Sequence, residues 1–118
     1  VFTFSIHCES NFPLKKIRSD IDISLKKGMK DNQYLNILRK HLESLNNIKS
    51  DIIFFQAGVD SLQQDRLGHL SLTKEGLKKR NEIIQMKNCG ELGCSKNNKG
   101  RFWCMGRCNY DTSSRNCY

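Results

Sequence analysis

The sequence predicts an α/β fold organised on a parallel sheet, and three stretches carry that expectation. Residues 1–6 alternate β-branched and aromatic side chains, as a strand does. Residues 31–45 place Tyr34, Leu35, Ile37, Leu38, Leu42 and Leu45 at helical spacing. Residues 52–55 read Ile-Ile-Phe-Phe with no polar break, as expected of a parallel strand buried on both faces. Strand, helix and strand in this order form a βαβ crossover, which favours parallel pairing.

Taken in order, the elements justify themselves locally. After the first strand, residues 8–30 show no helical period. Pro13 and Gly28 punctuate them, and Ser19-Asp20-Ile21-Asp22-Ile23 is a short alternating segment. The stretch reads as a long surface loop, and loops of that length tend to be functional or disordered. Asp31 reads as the N-cap of the first helix. That helix carries Lys and Glu opposite its apolar stripe, so it covers one face of the sheet. His41 has no partner in the sequence and reads as structural. After the second strand, Gln63 to Gly68 reads as a polar loop. Thr73 reads as the N-cap of a second helix that runs to about residue 86, with Leu77, Ile83 and Ile84 on its apolar side. Gly76 weakens that helix by about 1 kcal/mol relative to alanine.

The strand at 52–55 runs into Gln56-Ala57-Gly58-Val59-Asp60-Ser61-Leu62. In an open α/β sheet, ligands bind in the crevice outside the carboxyl ends of the strands. Gly58 lets the backbone turn. Asp60 is then presented where a metal or substrate can meet it. A plainer reading makes Asp60 a cap of the next segment.

Composition narrows the function classes. The 118 residues carry a net charge of +8, with basic side chains scattered along the chain. No nucleic-acid reading module accompanies them, so the charge reads as a solvated surface. No apolar run approaches the ~20 residues that span a membrane. Cys8 stands alone, whereas Cys89, Cys94, Cys104, Cys108 and Cys117 all fall near the end of the chain. The Ile- and Leu-rich composition breaks near 86–89. Two regions are therefore expected, 1–87 and 88–118.

Three blocks together resemble one family. Gln56 to Leu62 with Asp65-Arg66-Leu67-Gly68 resembles the zinc-site segment of the histone deacetylase and acetoin-utilisation deacetylase family. Val1 to His7 with Asn11-Phe12-Pro13 resembles the preceding strand and loop. Leu70 to Leu77 with Arg80 resembles the following helix. The resemblance covers roughly residues 1–85 and implies an internal fragment of a three-layer α/β/α arginase-deacetylase fold. It implies a zinc-dependent hydrolase that removes acetyl or other acyl groups from lysine side chains or small acylated amines. It places Asp60 as a zinc ligand. It places the Ser5 hydroxyl and the Ile6 carbonyl on a potassium ion, and the Val1 carbonyl at a second such ion. It places Phe12 on the wall of the acyl-lysine tunnel, with the 8–30 loop building its rim. A cytoplasmic protein is implied, or a nuclear one in a eukaryote, with no membrane partner.

The family's Asp-x-His pair, its paired histidines and its Gly-Gly-Gly-Tyr turn have no counterpart in this chain. Tyr110 lies in a different context, and that role does not transfer to it. The 118 residues alone are therefore expected to be inactive. The tail leaves three readings open. Cys89, Cys94, Cys104 and Cys108 could hold a structural zinc. The cysteines could form disulfides. The tail could instead be non-native coding sequence. The alternative function is a non-catalytic basic module whose Cys-rich tail binds zinc and, through it, nucleic acid or a protein.

Overall fold

A computed structural model of the chain describes residues 1–91 and 101–105, with side chains through residue 86. The elements run β1 (Phe4–Cys8), β2 (Ile21–Leu25), α1 (Asp31–Glu43), β3 (Ile52–Gln56), α2 (Lys74–Glu91) and β4 (Arg101–Met105). Two parallel pairs form, β1 with β2 and β3 with β4. The α/β class with parallel pairing stands as expected. The expected βαβ crossover from β1 through one helix to β3 does not form among the described residues: α1 follows β2, and β3 lies in a different sheet from β1 and β2.

β2 corrects the reading of 8–30 as loop throughout. Ile21, Ile23 and Leu25 alternate with Asp22 and Ser24, and Ile21 pairs with Phe4 at the start of the ladder. The strand is fastened at its entry. The Thr3 amide and hydroxyl both donate to Asp20 Oδ2, at 2.8 and 2.6 Å. The Asp20 amide donates back to Thr3 Oγ1 at 3.0 Å. These bonds favour the ionised carboxyl and hold Asp20 below its ordinary 3.8.

One face of β1 and β2 is apolar. Phe4, Ile6, Cys8, Ile21, Ile23 and Leu25 meet Tyr34, Leu35, Leu38 and Leu42 of α1, and Leu77 and Ile84 of α2, in one core. The expected stripe of α1 is therefore its buried face. The other face of the pair carries Ser5, His7, Asp22 and Ser24. There His7 Nδ1 lies 3.5 Å from Asp22 Oδ1 and 3.1 Å from Ser5 Oγ, while its Nε2 lies 3.3 Å from Ser24 Oγ.

β3 corrects a second expectation. Its burial alternates, with Ile52 49% and Phe54 69% exposed, while Ile53 and Phe55 are half-buried. Among the described residues only the inner face is covered. A continuous apolar run therefore does not distinguish a strand covered on one side from one covered on both.

Beyond residue 86, α2 continues to Glu91, and Arg101–Met105 pairs with β3 from Ile52↔Arg101 to Gln56↔Met105. The tail after Asn88 carries no regular period in the sequence. Phe102 and Trp103 nevertheless suit a strand, and the open edge of β3 supplies the hydrogen-bonding partner.

Asp31 is the first residue of α1 and does not cap it, because that end has no side-chain cap. Its carboxylate instead accepts from the Thr73 amide at 2.9 Å and the Thr73 hydroxyl at 2.5 Å. Thr73 is the expected cap of α2, with its Oγ1 accepting from the Gly76 amide at 3.0 Å. Asp31 thus ties the starts of the two helices together. A side chain at Gly76 would run into the Asp31 carboxylate. In isolation, Gly76→Ala would stabilise the helix by about 1 kcal/mol. Here it displaces Asp31 from two hydrogen bonds and is expected to cost a net ~1 kcal/mol. In an Asp31→Ala background the same change should stabilise by about 1 kcal/mol. Urea unfolding of the four proteins reads the reversal. The same sign in both backgrounds would show that Asp31 is not the obstacle.

Candidate functional site at the end of β3

β3 ends at Gln56, and Ala57, only 4% exposed, anchors the exit of the chain into the core. The turn that follows delivers Asp60 to the surface. Two glycines make room for it. A Cβ on Gly58 would sit 2.7 Å from Asp60 Oδ1, so the carboxylate lies across the bare Cα of Gly58. A Cβ on Gly68 would overlap the Asp60 carbonyl. The turn closes with Leu62 N donating to Val59 O at 3.1 Å. Leu72 N donates to Ser61 O at 3.1 Å and Gln63 N to Leu72 O at 2.9 Å, which pins the base of the 63–71 loop.

Inside the loop, Asp65 Oδ1 accepts from the Leu67 and Gly68 amides at 2.8 and 2.7 Å. Those two bonds favour the charged form and hold the Asp65 carboxyl below its ordinary value. The carboxylate thereby sets the backbone that brings Gly68 against Asp60.

Arg80 supports the turn from beneath. It is 7% exposed. Its Nη1 donates to Gly58 O at 2.9 Å and lies 3.4 Å from Ser61 Oγ. Its Nε donates to Asn81 Oδ1 at 3.0 Å, and its guanidinium stands 5.8 Å from the centre of the Phe55 ring. Burial pushes the Tyr34 hydroxyl above its ordinary 10.0, and the charge of Arg80 and its hydrogen bond to Tyr34 oppose that rise. One cation therefore joins β3, the Asp60 turn, α1 and α2.

A second loop meets the first through His69. The His69 amide donates to Asn11 Oδ1 at 2.9 Å, and its ring Nδ1 pairs with Ser10 Oγ at 2.8 Å. Ser10 Oγ in turn lies 3.4 Å from the buried Cys8 Sγ. Gly28, at φ 78°, donates to the His69 carbonyl at 2.7 Å. Phe12 projects from this loop with 92% of its surface exposed, next to a cis Phe12–Pro13 bond.

The residues singled out from the sequence are not all gathered. Ser5 lies on the polar face of β1, Ile6 on its core face, and Val1 is fully exposed ahead of the strand. Among the described residues β1 and β3 belong to different sheets, and no strand ladder there carries Ser5 or Ile6 to Asp60. Cys89 lies in α2 and Cys104 in β4, while Cys94 and Cys108 fall outside the described residues. Among the described residues, no three His, Cys, Asp or Glu side chains could hold one metal ion together. Asp60 fits a zinc ligand in kind, since it is an exposed carboxylate given room by Gly58. A catalytic zinc needs about three such protein ligands.

Arg80 braces the Asp60 turn, His69 joins the two loops and Asp31 ties α1 to the start of α2; the sequence marks neither His69 nor Asp31 as a hub. Arg80 leaves a signal. The buried face of α2 runs Leu77, Arg80, Asn81, Ile84, so a charge falls where the helical period calls for an apolar side chain.

Residues 1–92 match the family model described as the histone deacetylase domain. An uncharacterised protein of Picosynechococcus is 51% identical over 85 residues, which cover 71% of this chain and 28% of that protein. A crystal structure of a histone deacetylase homologue complexed with SAHA superposes with a TM-score of 0.64 at 26% identity. The superposition covers 73% of this chain and 27% of the homologue. A homologue from Aquifex aeolicus shares the fold, with a TM-score of 0.65 at 24% identity over 89% of this chain and 30% of its own. The chain thus spans less than a third of the length of each.

Proposed function

The chain belongs to the histone deacetylase domain family, and from that premise we propose that it is part of a zinc-dependent amidohydrolase that removes acetyl or other acyl groups from lysine side chains or small acylated amines. The observation that carries the proposal is Asp60, an exposed carboxylate set at the carboxyl end of β3 and given room by two glycines. When bound, zinc supplies a polarised acyl carbonyl and an activated water. Asp60 would be one of its ligands. Phe12 would line the acyl channel, and Ser5, Ile6 and Val1 would offer oxygens to potassium. The protein would act in the cytoplasm, or in the nucleus of a eukaryote.

A transplant tests this. The matching stretch of the Picosynechococcus protein is replaced by residues of this chain, and zinc content and hydrolysis of an acyl-lysine panel are measured. The chimaera is expected to bind zinc and turn over at least one acyl amine, and its Asp60→Ala variant to lose both. Equal turnover with and without Asp60 would remove it from the metal. Zinc held through Asp60 with no acyl amine cleaved would sink the substrate class. The isolated 118-residue chain is expected to show no turnover, because a single carboxylate does not make a catalytic zinc site.

A further inference from the structure

We propose that Lys16 is the built-in cation of the loop that carries Phe12, and that its ammonium positions this aromatic side chain. Lys16 Nζ donates to three backbone carbonyls, Asn11 O at 2.7 Å, Pro13 O at 2.9 Å and Glu9 O at 3.1 Å. An ammonium has three donors, and all three are used. Three carbonyls converging on one point repel each other unless a positive charge sits among them. The loop therefore forms around the charge, not beside it.

The need for such a charge follows from what else holds the loop. Residues 10 and 11 are fixed from outside by His69. Phe12 is 92% exposed and Leu14 81% exposed, so little packing restrains either. Phe12 lies between two of the carbonyls that Lys16 holds. Its backbone is therefore fixed on both sides by one side chain. Arginine cannot substitute, since its planar fork does not aim three N–H groups at three converging oxygens.

That Phe12 lines a substrate channel rests on the deacylase reading above; the cage itself does not. The experiment is nuclear magnetic resonance on the 118-residue chain. In the parent protein the Lys16 ammonium nitrogen should give a slowly exchanging signal with couplings to the carbonyl carbons of residues 9, 11 and 13. Lys16→Met should lower the backbone order parameters of Phe12, Leu14 and Lys15 from about 0.85 to below about 0.6, leaving α1 unchanged. Lys16→Ala should regain order on addition of methylammonium and not of tetramethylammonium, which has the charge and no N–H. A rapidly exchanging, uncoupled Lys16 signal would overturn the proposal even if the variants failed to fold. So would unchanged order in Lys16→Met, or equal recovery with both cations. In the transplanted protein, Lys16→Met should raise KM about tenfold with kcat nearly unchanged, the loss of one charge-assisted anchor. An ordered cage with no acyl-amine turnover in any variant would leave Lys16 in place and count against the deacylase reading alone.

Discussion

Arg80→Met should lower the unfolding free energy by about 2–4 kcal/mol, a large part of the total for a domain of this size. The size of the effect comes from what is left behind. Gly58 O loses its donor, Asn81 Oδ1 loses the Arg80 Nε–H, and Tyr34 loses the cation at its hydroxyl. Of these, Tyr34 and Asn81 are buried while Gly58 is exposed, and a buried polar group that loses a partner costs roughly 1–3 kcal/mol. The methionine itself keeps much of the volume, so the change does not simply open a cavity. Urea unfolding reads the loss through the midpoint. A second readout separates the electrostatic account from general loosening. With Arg80 gone, the Tyr34 hydroxyl should titrate at still higher pH, because burial then acts unopposed. A Tyr34 titration unmoved or lowered in a folded Arg80→Met protein would contradict the account. Arg80→Lys should recover less than half of the stability, since a point charge does not serve Nε and Nη1 partners together.

Gly68→Ala should cost about 3 kcal/mol or more, because the new methyl would occupy the Asp60 carbonyl and no side chain can swing away to relieve it. The cause is space rather than backbone angle. Gly28 offers the contrast. It adopts φ 78° with nothing within 4 Å of the place a methyl would take, so Gly28→Ala should cost only the left-handed strain, about 1–2 kcal/mol. Thermal unfolding of both variants ranks them. A Gly28 cost equal to or above that of Gly68 would mean that the Asp60 turn is not packed as described. In the transplanted protein, Gly68→Ala should also lower zinc content, since any shift that admits the methyl moves Asp60.

Much of this is legible in the sequence where one physical signal dominates. The helical spacing of Tyr34, Leu35, Leu38 and Leu42 marks the buried stripe of α1. Thr73 is legible as a cap because a hydroxyl before a helical run has one common use. The position of Asp60 beyond β3 is legible from the apolar run and the glycine, whereas its metal role is a proposal. The misses share a cause, which is that the deciding partner lies far along the chain. β2 is five residues long and is held by Thr3, 17 residues upstream of Asp20. Asp31 has the local look of a cap, but Thr73, 42 residues away, claims its carboxylate. Gly76 has the look of a weak point and is a clearance. The one-sided burial of β3 is not readable either, because hydrophobicity records what a face tolerates and not what covers it. Lys16 reads as surface charge, and no composition argument distinguishes a solvated lysine from one wrapped in carbonyls.

The half-covered β3 has a consequence for colloidal behaviour. Ile52 to Ala57 is uncharged, free of proline and rich in residues that favour extended backbone. Its outer face presents Ile52 and Phe54 to water. That is the make-up of a segment that stacks strand on strand between copies of a chain. Asp51 immediately before it, Lys49 just upstream and Asp60 just beyond are the charges placed to resist such stacking. Asp60 therefore stands at two borders at once, since the carboxylate proposed to hold a metal also closes a stretch of this chain suited to stacking between copies.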